Sequence, residues 1–421
     1  MKAIIKPARL CGTVTAPPSK SAGHRSLICA ALSGKSSTVF NCGESNDISA
    51  TVDALTALGA NIKRDGLTVR VQPAEKNNKN VTIDCNESGS TARFMIPVAA
   101  ALGAENVTFI GQGRLPERPF DTIAEVLRKN GVSCSSDRLP MTVTCQLKAG
   151  RFELPGDISS QYISGLLLAL SVVSGDSEIV LTSPLQSKDY VLMTVNELRA
   201  FGTEIGVFEN RFTVKGRTAL DSCDRTVEGD WSQAAFHLCA GAIGGDITVT
   251  GLNMNSLQGD NAVVDILREF GAEIRITESG INVKQKPLHG ITINASQIPD
   301  LVPILAVTAA FADGVTNITD AARLRIKESD RLHETAIRLR AFGIEVTELD
   351  DGLIIKGGQP HGADITSAND HRIVMAFSVM AAYCKGNSSI DGCEAINKSY
   401  PLFFNDYISL GGECSVIGNR K

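Results

Sequence analysis

Leu198-Arg-Ala-Phe-Gly202 and Leu339-Arg-Ala-Phe-Gly343 are the same five residues met twice in one chain. The pattern returns as Leu55-Thr-Ala-Leu-Gly59, Leu127-Arg-Lys-Asn-Gly131, Leu267-Arg-Glu-Phe-Gly271 and, degraded, Tyr407-Ile-Ser-Leu-Gly411. The glycines recur roughly every 70 residues, a longer period than the common solenoid repeats. Upstream of them, Val191, Val195 and Leu198 fall at i, i+4, i+7, as do Val263, Leu267 and Phe270, and Leu332, Ala336 and Leu339. This spacing predicts amphipathic helices, each ended by a glycine suited to the left-handed conformation.

A second half-motif is a nearly uncharged helical run, closed by glycine and followed by a β-branched strand. Ser26 to Gly34 then Ser37-Thr-Val39 is one copy, and Val302 to Gly314 then Val315 is another. Short alternating segments follow, such as Leu67 to Val71, Phe212 to Val214 and Gly352 to Ile355. Each repeat thus reads as strand, buried helix, strand, surface helix and strand hairpin. The buried-helix runs are Lys20–Gly34, Ser88–Gly103, Ser159–Gly175, Asp230–Gly245, Pro299–Gly314 and Asp370–Gly386. With 421 residues, an α/β chain of two domains with three repeats each is expected. The hinges are placed near Pro17-Pro18 and Glu228-Gly229. The first domain would be discontinuous (1–17 and 229–421), and the second would be 18–228.

Hydrophobic residues make up 43% and charged residues 21%, which excludes a disordered chain. The net charge of −5 and the lack of a Lys/Arg run argue against nucleic acid. The eleven cysteines include no C-x-x-C pair. His24, His237, His289, His333, His361 and His371 show no metal-ligand spacing. A reduced cytoplasmic protein without a metal site is expected. The N-terminus lacks the apolar core of a signal peptide, and Ile163 to Val173 is shorter than the ~20 residues of a membrane span.

Polar and charged residues stand where the buried helices begin. They are Lys20-Ser21 with Arg25, Ser88-Gly89-Ser90, Ser159-Ser160-Gln161, Asp230 to Gln233, Pro299-Asp300 and Asp370-His371-Arg372. Small hydroxyl residues and glycine at a helix start leave backbone N–H groups open to an anion. Capping explains Ser88, Ser159 or Asp230 equally well when each is taken singly. Lys20, Arg25 and Arg372 are unfavourable beside the positive end of a helix dipole, so together they favour a bound anion. Arg323 to Arg331 is the densest charge cluster. Read as a helix face it would set Arg323 against Lys327 and Lys327 against Arg331, both repulsive. Gly111 to Arg118 is a second cationic loop.

Lys20-Ser21-x-x-His-Arg25, Ser88-Gly89-Ser90-Thr91, Glu117-Arg118-Pro119, Ser159-Ser160-Gln161, Gln258-Gly259-Asp260, Ile298-Pro299-Asp300, Arg325 to Arg331, Asn369 to Arg372 and Lys398-Ser-x-Pro401 occur in this order. Taken together, from about residue 1 to 415, the chain closely resembles the 5-enolpyruvylshikimate-3-phosphate synthases. The resemblance implies two similar domains, each of three α/β units with buried parallel helices about a pseudo-threefold axis (an inside-out α/β barrel). It also implies an active site in the interdomain cleft. The implied reaction moves the enolpyruvyl group of phosphoenolpyruvate to the 5-hydroxyl of shikimate 3-phosphate and releases phosphate. It proceeds by addition and elimination through a tetrahedral intermediate, as the sixth step of the shikimate pathway to chorismate and aromatic amino acids. No cofactor or metal is implied, and the partners are the two small substrates, with no nucleic acid, no membrane and a monomeric protein.

By the same resemblance, Lys20, Ser21, Arg25, Ser159, Ser160, Gln161, Ser187, Asp300 and Lys327 would bind shikimate 3-phosphate. Lys20, Gly89, Arg118, Gln161, Arg331, Arg372 and Lys398 would bind phosphoenolpyruvate. Asp300 would accept the 5-hydroxyl proton, Glu328 would serve as acid and base at C3, and Lys20 would share proton traffic. Gly89 leaves room beside the phosphoenolpyruvate site, which implies sensitivity to glyphosate. Three positions depart from the family pattern: Gly23 for Ser or Thr, Glu87 for Asn, and Arg323 for an amide. The nearest rival, the transferase acting on UDP-N-acetylglucosamine, usually carries a reactive cysteine in the loop corresponding to Gly111–Arg118. That loop has none here. A noncatalytic anion-binding repeat protein would not need Asp300 and Glu328 at these places.

Overall fold

The apolar runs and the amphipathic runs both fold as helices, in strict alternation. In the computed structural model, which describes residues 1–73, 80–103 and 105–418, the described helices are α1 (Lys20–Ala31), α2 (Asn46–Ala57), α3 (Gly89–Leu102), α4 (Asp121–Lys129), α5 (Ser160–Leu170), α6 (Lys188–Ala200), α7 (Trp231–Gly244), α8 (Val263–Phe270), α9 (Val302–Ala310), α10 (Arg331–Ala341), α11 (His371–Tyr383) and α12 (Phe403–Ser409). The odd-numbered helices are buried along most of their length, and the even-numbered ones bury one face. Every even helix is followed by its repeat glycine, whose φ lies between 82° and 101°. A side chain at such a backbone conformation is strained, which is why glycine recurs there.

The described strands form six four-stranded sheets of one design. In one of them, Val81–Asp84 runs parallel to Asn106–Ile110 across α3, and Asn106–Ile110 pairs antiparallel with Met141–Thr144. Ser133–Cys134 then closes the hairpin at the edge. The strand, helix, parallel strand order needs the crossover that the buried helix supplies.

The chain divides into two compact units, Met1–Pro17 with Gly229–Lys421, and Pro18–Glu228. Strand pairing explains the discontinuity. Lys2–Lys6 pairs with Ser388–Asp391 and Glu413–Ile417, while Cys11–Thr15 pairs parallel with Asp246–Thr250. In the continuous unit, Arg225–Thr226 returns to run parallel to Ser37–Phe40. Each unit has its own apolar core, built on α7, α9 and α11 in the first and on α1, α3 and α5 in the second.

Gly165 sets how closely α5 approaches α3. A Cβ there would lie 2.4 Å from the Arg93 carbonyl oxygen and 3.0 Å from Pro97 Cγ. Pro97 has no N–H, so that carbonyl also lacks its usual donor one turn on. No described helix is long and apolar enough to cross a membrane.

Candidate active site

In the discontinuous unit the chemistry gathers around one buried guanidinium. Arg331 opens α10, is 1% exposed, and meets three carboxylates. Its Nη1 donates to Asp300 Oδ1 (2.8 Å), its Nη2 to Glu328 Oε2 (2.6 Å) and its Nε to Asp370 Oδ2 (2.7 Å). Burial opposes the charge on Arg331, but Asp370, Glu328 and Asp300 outweigh it and raise the pKa.

Asp300 lies in a single 3₁₀ turn, Pro299–Leu301, ahead of α9. Besides Arg331, its carboxylate has Lys327 Nζ at 3.4 Å and Arg372 Nη2 at 3.4 Å. Burial would push Asp300 up, yet Arg372, Lys327 and Arg331 together hold it well below the usual carboxylate range. The same burial lowers Lys327 to about 8, with Asp300 partly offsetting it. Arg372 also donates from Nη1 to the Asp300 carbonyl (2.8 Å) and from Nη2 to Ser232 Oγ (2.6 Å). Lys398 Nζ donates to the Asn369 carbonyl at 2.6 Å, and Ala368 and Asn369 are both left-handed, with φ of 50° and 54°.

The segment from Arg323 to Arg331 is not one helix. A 3₁₀ turn spans Ala322–Ile326, Lys327 is extended, and Asp330 caps α10 by accepting from His333 N. The single helix face that would set these cations four apart is therefore not formed, although Arg331 and Arg323 still act on Lys327 and help lower its pKa. Arg325 is a structural pin instead, donating to Asp330, Glu348 and the carbonyls of Leu349 and Asp350.

In the continuous unit, Lys20 opens α1 and Ser19, not Lys20 or Ser21, caps it by accepting from Ala22 N at 3.3 Å. Lys20 Nζ pairs with Asp47 Oδ2 at 2.7 Å, so a carboxylate of the protein already answers that cation. Arg25 is buried and held by neutral acceptors: Ser21 O (2.7 Å), Thr194 Oγ1 (2.7 Å) and Tyr190 O (2.8 Å). Burial lowers its pKa to about 10. Ser187 precedes α6 in the left-handed region, with φ 51° and ψ 47°. Strain of this kind costs about 1–3 kcal/mol and persists only where the surroundings enforce it.

Ser88 and Ser159 both cap their helices, accepting from Thr91 N and Gln161 N. Ser160 is buried in the first turn of α5. Gly89 begins α3, with the Arg118 guanidinium close by: a Cβ on Gly89 would lie 2.7 Å from Arg118 Nη1. Gln161 Nε2 donates to Ser90 Oγ at 2.8 Å. Gly23 packs on Ile48, whose Cδ1 lies 3.1 Å from where its Cβ would be. Glu87 lies against Gly113, and Arg323 stands near enough to Lys327 to help lower its pKa.

Helix starts carrying Lys20, Gly89 and Gln161 in one unit, and Arg331 and Arg372 beside Asp300 in the other, offer donors of the kind that small, highly charged anions accept from. Comparison with known proteins identifies the family. The profile of the EPSP synthase (3-phosphoshikimate 1-carboxyvinyltransferase) family matches residues 4–407. The chain belongs to the EPSP synthase family. The 3-phosphoshikimate 1-carboxyvinyltransferase of Clostridium acetobutylicum is 46% identical over 421 residues, covering 97% of each chain. That of Clostridium kluyveri is 44% identical over 418 residues, again covering 97% of each. An EPSP synthase structure from Acinetobacter baumannii matches with TM-score 0.81 at 28% identity, covering 99% of this chain and 100% of that one. The enolpyruvyl transferase NikO from Streptomyces tendae shares the fold at TM-score 0.81 and 18% identity, covering 98% of each chain.

Sequence reading placed Asp370 at a helix start without pairing it with Arg331, and missed Asp47 and Arg93 altogether. Asp47 answers Lys20, Asp370 answers Arg331, and Arg93 donates to Gln161 Oε1 at 3.0 Å. Arg93 left one signal: a lone charge within the otherwise uncharged run of α3.

Proposed function

We propose that the chain transfers the enolpyruvyl group of phosphoenolpyruvate to the 5-hydroxyl of shikimate 3-phosphate, with release of phosphate. The observation that carries this reading is the Asp300–Arg331–Glu328 arrangement, two carboxylates joined through one guanidinium. Addition to C2 and protonation of C3 need a proton acceptor at oxygen and a proton carrier at carbon, held apart but close. Asp300 takes the first role and Glu328 the second. Lys327 holds a hydroxyl of the acceptor ring, and Lys20 shares the proton traffic around the leaving phosphate.

Ser21, Arg25, Ser159, Ser160, Gln161 and Ser187 bind shikimate 3-phosphate. Lys20, Gly89, Arg118 and Gln161 take the phosphoryl group of phosphoenolpyruvate, while Arg331, Arg372 and Lys398 take its carboxylate. A carboxylate surrounded by three cations is a weak base. When the phosphoenolpyruvate carboxylate draws on Arg331 and Arg372, Asp300 loses part of that stabilisation and its basicity rises as the 5-hydroxyl arrives. The tetrahedral adduct then expels phosphate toward Lys20 and Arg118, and a C3 proton returns to Glu328.

The reading carries with it a monomer working in the cytoplasm on small molecules, without a nucleic-acid or membrane partner. The net charge of −5 supports the lack of a nucleic-acid partner. A sedimentation mass above the 44.7 kDa of one chain would overturn the monomer. Phosphate release from phosphoenolpyruvate and shikimate 3-phosphate, each required for signal, tests the activity itself. No release at saturating substrates would refute it.

A further inference from the structure

The vacant Cβ position of Gly89 has a second guanidinium beside it. Arg93 Nη1 lies 2.6 Å from that point, as close as Arg118 Nη1 at 2.7 Å. Arg93 sits one turn into α3 and is 4% exposed. Among the described residues no carboxylate pairs with it. Of its five N–H donors, only one finds an acceptor among the described residues, Gln161 Oε1 at 3.0 Å. Its Nε is buried without a hydrogen-bond partner.

Two ring faces complete its surroundings, Phe120 with centroid at 5.3 Å and Tyr162 at 5.5 Å. Tyr162 is itself fixed, donating its hydroxyl to the Pro119 carbonyl at 2.6 Å. Ring faces and one amide oxygen fall short of the cost of burying a guanidinium. A buried cation left in this condition, aimed at the start of a helix whose N–H groups are themselves anion donors, calls for an anion.

We infer that Arg93 is a further anion-binding residue, which donates to the phosphoryl group at the Gly89 turn beside Arg118 and fixes the Gln161 amide for the same group. Gln161 receives from Arg93 and donates to Ser90 Oγ, so its amide has one orientation. Two guanidinium groups at one point match the several oxygens of a dianionic phosphoryl group better than a carboxylate. The inference rests on the transferase reading for the identity of that group, but inorganic phosphate is a probe independent of turnover.

The test compares wild type with Arg93→Met and Arg93→Lys. Steady-state kinetics are read beside calorimetric titration of inorganic phosphate into the ligand-free protein. Arg93→Met is expected to raise KM for phosphoenolpyruvate about 10- to 100-fold and to weaken phosphate binding in parallel. KM for shikimate 3-phosphate should rise much less, through the released Gln161 amide alone, Tm should not fall, and Arg93→Lys should recover part of both losses. Unchanged phosphate affinity in Arg93→Met would overturn the inference. So would a fall in Tm with every parameter worsening together, since that is the signature of a packing role. If wild type released no phosphate from the substrate pair, the transferase reading would fail, and the phosphate titration alone would decide Arg93.

Discussion

Asp300 shows how a residue's chemistry depends on its neighbours. Three cations keep it ionised in the ligand-free protein, so it is always ready to accept a proton but weakly driven to do so. Asp300→Asn should keep the shape and lose the acceptor, lowering kcat about 10²- to 10⁴-fold with little change in substrate KM. A loss confined to KM would mean that Asp300 only binds. Lys327 gives a pH signature. With its pKa lowered to about 8 by burial, it is charged below that pH and neutral above it. The kcat/KM for shikimate 3-phosphate should fall as pH rises through about 8, and Lys327→Arg should carry the alkaline limb to higher pH. A limb that stays in place in Lys327→Arg would assign it to another group.

At the scale of elements, α5 packs against α3 in the continuous unit through Gly165. Gly165→Ala would place a methyl 2.4 Å from the Arg93 carbonyl, against backbone that has no rotamer to yield. Overpacking of this kind costs about 1–3 kcal/mol, so the urea midpoint followed by circular dichroism should drop. An unchanged midpoint would show that the helices separate freely. Gly89→Ala differs, because its methyl meets the ends of two flexible guanidinium groups. It should leave stability nearly intact while raising KM for phosphoenolpyruvate and reducing inhibition by glyphosate.

The repeat glycines and the apolar helix runs were legible because they follow from local chain geometry. Ser19 as the cap of α1 and the break between Ile326 and Arg331 were not, because charge density hides where one turn ends and the next begins. The sequence could point to Asp300, Glu328 and Arg331, but it could not show that Asp370 completes the ring around Arg331. Pairs such as Lys20 with Asp47 depend on how separate helices pack, and nothing in their spacing announces the contact.

For the molecule as a whole, buried histidines in the central helices tie stability to acid: His24 in the continuous unit, and His237 in the discontinuous one, where His371 is buried as well. His24 in α1 bonds Thr51 Oγ1 at 2.7 Å, and burial, with Lys20 and Arg25 nearby, pushes its pKa well below the ordinary value. His237 in α7 lies 3.1 Å from the Tyr400 hydroxyl, and burial lowers it to about 4. In the unfolded chain both titrate near 6.5. Between about pH 4 and 6.5 the unfolded state therefore binds more protons, so stability is full above this window and falls as pH drops through it. For His237 the loss by pH 4 is on the order of 3 kcal/mol. The only tryptophan of the chain, Trp231, is fully buried in the same unit as His237, so its fluorescence reports that unit while circular dichroism reports both. Denaturant midpoints measured from pH 7 to 4 should fall steeply in wild type. His237→Gln should flatten the fluorescence trend, and His24→Gln should flatten only the dichroism trend. If His24→Gln flattened the fluorescence trend equally, the two units would unfold as one, and the acid response could not be divided between their histidines.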